Sequence, residues 1–383
     1  MSSSTILLNP NLLQKGDENS DSIIFDTSSL QKQKDLPAEF VWPEDELSRT
    51  KQPELNEPFI DLSCLENGDE EAIAKAASLV RAACLSHGFF QVTNHGIDSD
   101  LIKAAYEEID AVFKLPLEKK LSLRRKSAAE VSGYSGAHAD RFSSKLPWKE
   151  TFSFGYGFLQ GEDGSKNMVL DYFKSALGSE FEHVGSVYEK YCEAMKEMSL
   201  TIMELLGRSM GIDRSSLRDF FKDGSSIMRC NYYPPCNKST LTLGTGPHTD
   251  PTSLTILHQD QVGGLEVFLD GQWKSVRPHP DAFVINIGDT FMALSNGTYK
   301  SCLHRAVVNR EKERRSLVFF VCPEKTKVVR PPENLLIGRG RDGGALERAY
   351  PDFTWSDLFD FTQLHYRPDS STLPNFFHWL NSS

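Results

Sequence analysis

The first half of the chain carries apolar residues at the three- and four-residue spacing of amphipathic helices. A helix is predicted over about 71–88, with an apolar face made by Ile73, Ala77, Val80 and Cys84. A second is predicted after a cap at Asp98 or Ser99, with an apolar face made by Leu101, Ala105, Ile109, Val112 and Phe113. The longest stretch with this apolar spacing covers about 180–210. These patterns predict a layer of helices that each bury one face.

Beyond Ser226 the pattern changes to short apolar runs of strand length. Turn signals such as Gly263-Gly264 and Asp270-Gly271 separate the runs, which cover 254–257, 265–269, 273–276, 283–287 and 317–321. Short strands at this spacing favour a jelly roll or a closed barrel. The predicted fold class is therefore α+β, with a jelly-roll core flanked by helices and an N-terminal α/β cap.

These patterns divide the chain into four expected parts. Residues 1–36 are rich in polar residues without a sustained period and predict a mobile tail. Residues 37–222 form the cap and supporting helices, and residues 223–325 form the jelly-roll core. Residues 326–383 are expected to pack on the core as a C-terminal extension, with Thr354 and Asp357 beginning a helix in the manner of a capping box.

Composition narrows the possible partners. The 383 residues carry a formal net charge of −11, which argues against nucleic acid or an anionic membrane as a partner. The mean hydropathy is −0.39, and no run approaches the roughly 18 apolar residues of a membrane span. Seven scattered cysteines without paired spacing, and an N-terminus without a secretory signal, favour reduced thiols and a cytoplasmic location. The sequence leaves the oligomeric state open.

The strongest chemical signal is a metal-ligand pattern. His248 and Asp250 are two positions apart, so in an extended segment their side chains point the same way. His304 lies in a later predicted strand, where it can complete the set. Two imidazoles and one carboxylate leave about half of an octahedral shell open, as non-haem Fe(II) oxygenases require. An isolated His-x-Asp more often binds no metal, so the prediction depends on the conjunction with the residues that follow.

Ten residues after His304 stands a candidate anion site. The guanidinium of Arg314 can pair with a carboxylate in a two-pronged geometry, and Ser316 shares its strand face. Together they could hold the far carboxylate of a dicarboxylic keto acid that chelates the metal.

This order of motifs resembles the Fe(II)/2-oxoglutarate dioxygenases of plants. The segment Asn231-Tyr232-Tyr233-Pro234-Pro235-Cys236 is similar to the N-Y-Y-P motif of that group. The resemblance implies a double-stranded β-helix core, Fe(II) held by the two histidines and the aspartate, and 2-oxoglutarate as co-substrate. It also implies that Tyr233, and with less support Asn231, assists in holding 2-oxoglutarate, and that ascorbate is the auxiliary reductant.

A narrower resemblance comes from two further segments. Leu146-Pro147-Trp148-Lys149-Glu150-Thr151 and the stretch 243–265 are similar to signatures of the gibberellin 20-oxidases. Two interpretations of the hexapeptide stay open. Trp148 could offer apolar surface to a terpenoid skeleton and Lys149 a cation for its carboxylate. Alternatively, the segment is a strand packed outside the pocket, with Lys149 paired to an acidic neighbour.

The resemblance implies stepwise oxidation at C-20 of C20 gibberellin precursors, such as gibberellins A12 and A53, to the C19 gibberellins A9 and A20. The substrates would then be a diterpenoid acid, 2-oxoglutarate and O2. The alternatives are a plant dioxygenase acting on another gibberellin carbon or a flavonoid, a hormone- or metal-binding module without activity, and a structural zinc protein.

Two further expectations concern residues to which no role in the chemistry is assigned. The segment 338–343 satisfies the G-x-G-x-x-G pattern, but without a strand before it and an apolar helix after it we expect an exposed turn. Thr249 should point away from the metal and tolerate variation.

Overall fold

The computed structural model describes residues 24–47, 51–125, 130–139, 144–157, 168–336, 348–365 and 372–382. The segment 338–343 and residues 1–23 of the expected tail lie outside these residues. Residues 126–129, 140–143 and 158–167 lie outside them as well. Among the residues described, no helix is both long enough and apolar enough to cross a membrane.

Two sheets form the core. Their strands are β1 (Phe59–Asp61), β2 (Phe89–Thr93), β3 (Gly133–Gly136), β4 (Glu150–Tyr156), β5 (Ser226–Tyr233), β6 (Leu243–His248), β7 (Leu254–Gln259), β8 (Leu265–Leu269), β9 (Gln272–Ser275), β10 (Phe283–Ile287), β11 (His304–Val307) and β12 (Arg314–Val321), and a separate ribbon pairs β13 (Val328–Val329) with β14 (Phe353–Thr354). The larger sheet has the order β1-β2-β10-β7-β12-β5-β4-β3, and the smaller one β6-β11-β8-β9. Apart from the parallel pair β1–β2, neighbouring strands within these sheets are antiparallel.

Strand alternation divides the large sheet into two faces. On β7, Thr255 and Leu257 face a cavity that residues of both sheets line, whereas Leu254 and Ile256 join the main hydrophobic core on the other side. The expected jelly-roll core with flanking helices is confirmed. Strands β1 to β4, which precede residue 223, extend the same sheet as the core strands, so the cap and the core share one continuous sheet.

Helices cover the outer face of the large sheet. In chain order, the α-helices of the described residues are α1 (Thr27–Leu30), α2 (Ser63–Asn67), α3 (Glu70–Ser86), α4 (Ser99–Phe113), α5 (Leu117–Ser122), α6 (Met168–Leu177), α7 (Glu182–Met210), α8 (Arg214–Phe221), α9 (Asp289–Leu294), α10 (Glu333–Leu336), α11 (Trp355–His365) and α12 (Thr372–Leu380). Helix α1 lies apart from the helical layer, since its Leu30 belongs to the cluster around Trp148. The long helix α7 is the centre of this layer and packs against α3, α4, α6 and α8. It ends where Gly211 takes the left-handed conformation that glycine adopts without strain.

The predicted helices are present within one or two residues. Asp98 caps α4 by accepting from the backbone of Asp100, and the four apolar residues expected on α3 are buried. Leu101 differs from expectation because it is half-buried, and Ile102 takes the core position. Helix α12 was not predicted, since aromatic residues separated by few polar ones show no clear period. Thr354 and Asp357 bond each other as a capping box requires.

The N-terminal segment 24–36 packs on the body of the protein. Phe25 is 2% exposed and lies edge-on to the indole of Trp148 at 5.3 Å. Leu30 is also buried in the cluster that contains Phe40 and Leu146. The packed part of the chain therefore reaches at least to Phe25, beyond the expected end of the tail at residue 36. The sequence did not indicate this, because isolated apolar residues in a polar segment have no period.

Candidate active site

The His-x-Asp and the distant histidine meet at one end of the cavity. His248 ends β6 and His304 begins β11, and the two residues are directly paired across these antiparallel strands. The Nε2 atom of His248 lies 3.6 Å from Oδ1 of Asp250, and Nε2 of His304 lies 3.5 Å from Oδ2. One ligand atom from each residue falls within 4.8 Å of the others. A single cation could therefore contact all three side chains.

Neighbouring groups orient each of these side chains. The Nδ1 atom of His248 lies 2.8 Å from the carbonyl of Gly246, and that of His304 lies 3.1 Å from the carbonyl of Cys302. A carbonyl oxygen accepts a hydrogen bond only from a protonated Nδ1, so in both histidines Nε2 carries the lone pair that is directed to the centre. Sequence reasoning did not identify these partners, because they are backbone atoms.

Two polar side chains hold the carboxylate of Asp250. The hydroxyl of Thr255 donates to Oδ2 at 2.6 Å, and the amide of Asn286 donates to the same atom at 3.0 Å. Both come from strands of the large sheet, whereas the histidines stand on the small one. Neither residue belongs to a short motif, so only the pairing of β7 with β10 brings them together.

The local electrostatics favour cation binding. Burial and, to a smaller extent, the neighbouring His304 lower the pKa of His248 to about 3, although the carboxylate of Asp250 acts in the opposite direction. Burial would raise the pKa of Asp250, but the two imidazoles and the donors Thr255 and Asn286 outweigh it and the net shift is downward. His248 is thus neutral and Asp250 charged at neutral pH, which are the forms that bind a metal.

Arg314 is buried in the same cavity with unused hydrogen-bond donors. Its side chain is 1% exposed, and Nη2 donates to Gln259 at 3.0 Å. Its Nε and Nη1 atoms have no hydrogen-bond partner among the described residues, and the guanidinium lies 4.8 Å from the ring centroid of Tyr233. Carboxylate oxygens are suitable acceptors for such buried guanidinium donors. Such unsatisfied groups are costly unless a ligand completes them.

The other three predicted co-substrate residues stand beside Arg314 on paired strands. Tyr233 is paired with Arg314, and Asn231 with Ser316, across β5 and β12. The amide of Asn231 donates to the hydroxyl of Ser316 at 3.1 Å, and its side-chain carbonyl oxygen has no partner within the described part of the chain. The hydroxyl of Tyr233 lies 3.4 Å from the hydroxyl of Thr245. The structure therefore brings these four residues together, and the carbonyl of Asn231 adds a polar atom that a ligand or water could satisfy.

Lys149 and Trp148, the two residues of the hexapeptide considered for substrate contact, lie in different surroundings. Lys149 lines the cavity, where its ammonium group donates to Thr245 at 3.0 Å and lies 5.9 Å from the ring centroid of Tyr233. Trp148 is 1% exposed and packs edge-on against Phe25 and Phe40 instead of lining the cavity. Each open interpretation of the hexapeptide therefore fits one residue: Trp148 packs outside the cavity and Lys149 lines it. The chain bends at Trp148, where the amide of Lys149 donates to the carbonyl of Pro147 at 2.9 Å.

Three other histidines have ordinary hydrogen-bond partners. His87 and His95 accept from the backbone two residues on, and His258 lies between the hydroxyl of Tyr106 and the carbonyl of Pro280. The hydroxyl of Thr249 donates to the buried carboxyl of Asp289 at 3.0 Å. Burial raises the pKa of Asp289 to about 7, whereas hydrogen bonds from Ser301 and Thr249 act in the opposite direction by stabilising the carboxylate.

The donors on Asp250 allow a first prediction. Asn286→Leu removes the amide that fixes one carboxylate oxygen, and loss of such an outer partner weakens metal binding by roughly 10- to 100-fold. The measurement is the dissociation constant of Fe(II) under anaerobic conditions. The matched control is Asn67→Leu, at the exposed end of α2, which should bind Fe(II) like the wild type. Equal affinities in the two variants would show that Asn286 does not support the metal site.

A three-residue centre of this kind, facing a buried guanidinium within a jelly-roll core, defines a non-haem Fe(II)/2-oxoglutarate-dependent oxygenase. Comparisons with known proteins agree. Residues 224–323 match the 2OG-Fe(II) oxygenase superfamily, and residues 58–170 match the N-terminal region described as non-haem dioxygenase in morphine synthesis.

Similarity to individual proteins covers nearly the whole chain. Gibberellin 20 oxidase 2 of Oryza sativa subsp. japonica is 55% identical over 92% of this chain and 87% of its own length. Gibberellin 20 oxidase 3 of Arabidopsis thaliana is 50% identical over 100% of this chain and 99% of its own. The crystal structure of JOX2 in complex with 2OG, Fe and JA has a TM-score of 0.74 at 30% identity, covering 91% and 96% of the two chains. The chain belongs to the gibberellin 20-oxidase family.

Proposed function

We propose that this protein oxidises C-20 of C20 gibberellin precursors, such as gibberellins A12 and A53, stepwise to the C19 gibberellins A9 and A20. The observation that carries the proposal is the similarity to gibberellin 20 oxidases over nearly the full length of the chain. The substrates are then a diterpenoid acid, 2-oxoglutarate and O2, with ascorbate as auxiliary reductant.

His248, Asp250 and His304 would hold the iron. The fit rests on the converging ligand atoms and on the neutral and charged forms of His248 and Asp250 at neutral pH. Iron bound here, with 2-oxoglutarate and O2, supplies the oxidising power to remove hydrogen from an unactivated carbon, and succinate and CO2 are released. Thr255 and Asn286 keep the carboxylate from rotating, so the ligand geometry is preorganised.

Arg314 would bind the far carboxylate of 2-oxoglutarate through guanidinium donors that have no partner among the described residues. Gln259 holds the guanidinium in place, and the ring of Tyr233 packs against its face. Ser316, Tyr233 and Asn231 would add hydroxyl and amide groups around the same ligand. Because this end of the cavity is buried, these charged hydrogen bonds form with little competition from water.

Lys149 would contact a carboxylate of the gibberellin substrate, since it lines the cavity beside Tyr233. Trp148 takes no part in this contact. It instead anchors the N-terminal segment through Phe25 and Phe40. We also place the protein in the cytoplasm, because all seven cysteines, which lie in the described part of the chain, are free.

Lys149 is expected to lower the stability of the folded protein while strengthening the binding of gibberellin. Burial, together with the neighbouring cations Arg229 and Arg314, holds the pKa of Lys149 well below the ordinary value. The folded state therefore disfavours the protonated form of this side chain. The unfolded chain binds that proton below a pH of about 10.4, and stability is therefore lost as the pH falls below this value. We expect Lys149→Met to raise the melting temperature of the ligand-free protein at pH 7.5 while weakening gibberellin binding.

Thermal unfolding at pH 7.5 and binding of gibberellin A12 measure the two effects. Lys190→Met, on the exposed face of α7, is the control that should change neither. A lowered melting temperature together with unchanged binding would contradict the proposed role of Lys149.

The deciding experiment is incubation of the purified protein with Fe(II), 2-oxoglutarate, ascorbate and gibberellin A12. We expect gibberellin A9, detected by mass spectrometry, with succinate released in step. Products hydroxylated at another gibberellin carbon, or turnover of a flavonoid in place of A12, would replace the proposed reaction by its nearest alternative. Absence of succinate with any substrate would favour a binding module without activity, and zinc in place of iron would favour a structural metal site.

A further inference from the structure

Strand β6 is irregular just before the histidine at its end. It is the edge strand of the small sheet and pairs with β11 on one side. From His248 back to Thr245 the chain of β6 moves three positions, while the paired residues of β11 move two, to Ala306. Such a bulge disrupts the regular ladder, and Pro247 within it has no N–H to donate. The carbonyl of Gly246, which accepts from Nδ1 of His248, must therefore be fixed by packing.

The indole of Trp42 supplies this packing, because it lies directly on the backbone of Gly246. A Cβ atom at this position would lie 2.1 Å from Cη2 and 2.5 Å from Cζ3 of the ring, which is closer than real Cβ atoms approach a neighbour. The φ angle of Gly246 lies outside the left-handed region, so no backbone strain calls for glycine here. The indole itself therefore requires the glycine. Trp42 is 5% exposed and lies outside the cavity.

Hydrogen bonds hold the indole in this place. The backbone N–H of Trp42 donates to the carbonyl of Leu241 at 3.0 Å, and its Nε1 donates to the carbonyl of Leu146 at 3.2 Å. Four residues further on, the carbonyl of Glu46 accepts from Nη1 of the buried Arg305 at 2.5 Å. Residues 42–46 are thus tied to β11 and to the segments that precede β4 and β6. The ring cannot move away from the glycine without breaking these bonds.

We propose that Trp42 is a positioning residue of the metal centre. By fixing the carbonyl of Gly246, it holds the ring of His248 in the orientation that directs Nε2 to the iron. The inference rests on the proposed metal centre and extends it to the N-terminal part of the chain. A ligand that is oriented before the metal arrives does not have to be ordered on binding, so loss of the indole should weaken metal binding. No atom of the cavity itself is removed.

The test compares Trp42→Leu with Phe40→Leu. Phe40 is buried in the same segment, but its ring packs on Phe25 and Trp148. Both variants lose a buried aromatic ring, so both should lower the melting temperature of the metal-free protein. We expect the dissociation constant of Fe(II), measured under anaerobic conditions without gibberellin, to rise roughly 10-fold in Trp42→Leu, the lower end of the effect of losing an outer partner. Phe40→Leu should bind Fe(II) like the wild type.

Gly246→Ala gives the sharper readout, because its methyl group collides with the indole. Fe(II) affinity should fall in Gly246→Ala, whereas in the double variant Trp42→Leu/Gly246→Ala the methyl group should add no further loss to that of Trp42→Leu. The visible spectrum of Co(II) bound in place of Fe(II), which reports the ligand geometry, should change in Gly246→Ala and be alike in the double variant and Trp42→Leu.

Three results would overturn the inference alone. They are an unchanged Fe(II) affinity in Trp42→Leu, an equal loss of affinity in Phe40→Leu, and a loss in Gly246→Ala that is the same with and without the indole. If His304→Ala binds Fe(II) as tightly as the wild type, the proposed metal centre fails and the inference fails with it.

Discussion

Replacing His304 with alanine is expected to reduce the formation of gibberellin A9 by at least about 100-fold, because even the loss of an outer partner of a metal ligand costs 10- to 100-fold. The side chain is buried beside Asp250 and His248, and its Nδ1 is already committed to the carbonyl of Cys302. No described neighbour offers a third ligand atom in its place. The remaining pair would hold the ion too weakly to keep it at the centre.

Two measurements separate this effect from misfolding. Anaerobic titration with Fe(II) should show weakened binding, while the thermal unfolding transition of the metal-free variant stays cooperative. His279→Ala removes an exposed imidazole from the loop before β10 and should retain both iron and activity. Retention of iron by His304→Ala, with activity near the wild-type level, would remove the basis for the proposed metal centre.

Arg314→Met is expected to weaken 2-oxoglutarate binding by about 2–5 kcal/mol, the cost of removing one partner from a buried, hydrogen-bonded charge pair. This corresponds to a rise of roughly 30-fold or more in KM for 2-oxoglutarate. Methionine fills much of the same volume, so the packing against Tyr233 is largely kept. The loss should therefore fall on the co-substrate and leave iron binding intact.

The thermal shift produced by 2-oxoglutarate gives an independent readout of this prediction. The ligand should raise the melting temperature of the wild type and of Arg310→Met, which alters an exposed arginine ahead of β12, but not that of Arg314→Met. Ser316→Ala, which loses one hydroxyl near the same site, should fall between them. A wild-type thermal shift in Arg314→Met would place the 2-oxoglutarate carboxylate elsewhere.

The adjacent residues Trp148 and Lys149 mark the limit of sequence reasoning. Both belong to one motif, and the motif does not say which of them faces the cavity. The answer depends on the register of β4 with β5 and on the N-terminal segment, whose Phe25 covers the indole. Such contacts join residues that are far apart in the chain, and hydrophobic period describes only neighbours along it.

The metal ligands and the arginine were predictable because their chemistry is carried by few residue types at restricted spacing. Thr255 and Asn286 were not, since threonine and asparagine occur in strands for many reasons. Their contacts with Asp250 become visible only when β7 and β10 are aligned in one sheet and the inward faces are known.

The sequence by itself determined helices α3, α4, α7 and α11, the short strands of the core, the three converging metal ligands and the arginine ten residues after the second histidine. It did so because local periodicity and motif spacing are properties of the chain alone. Only the tertiary structure decided which side of each strand faces the cavity, how Asp250 is held, and that Lys149 rather than Trp148 lines the cavity. Those outcomes depend on strand register and on burial, which arise when distant segments pack together.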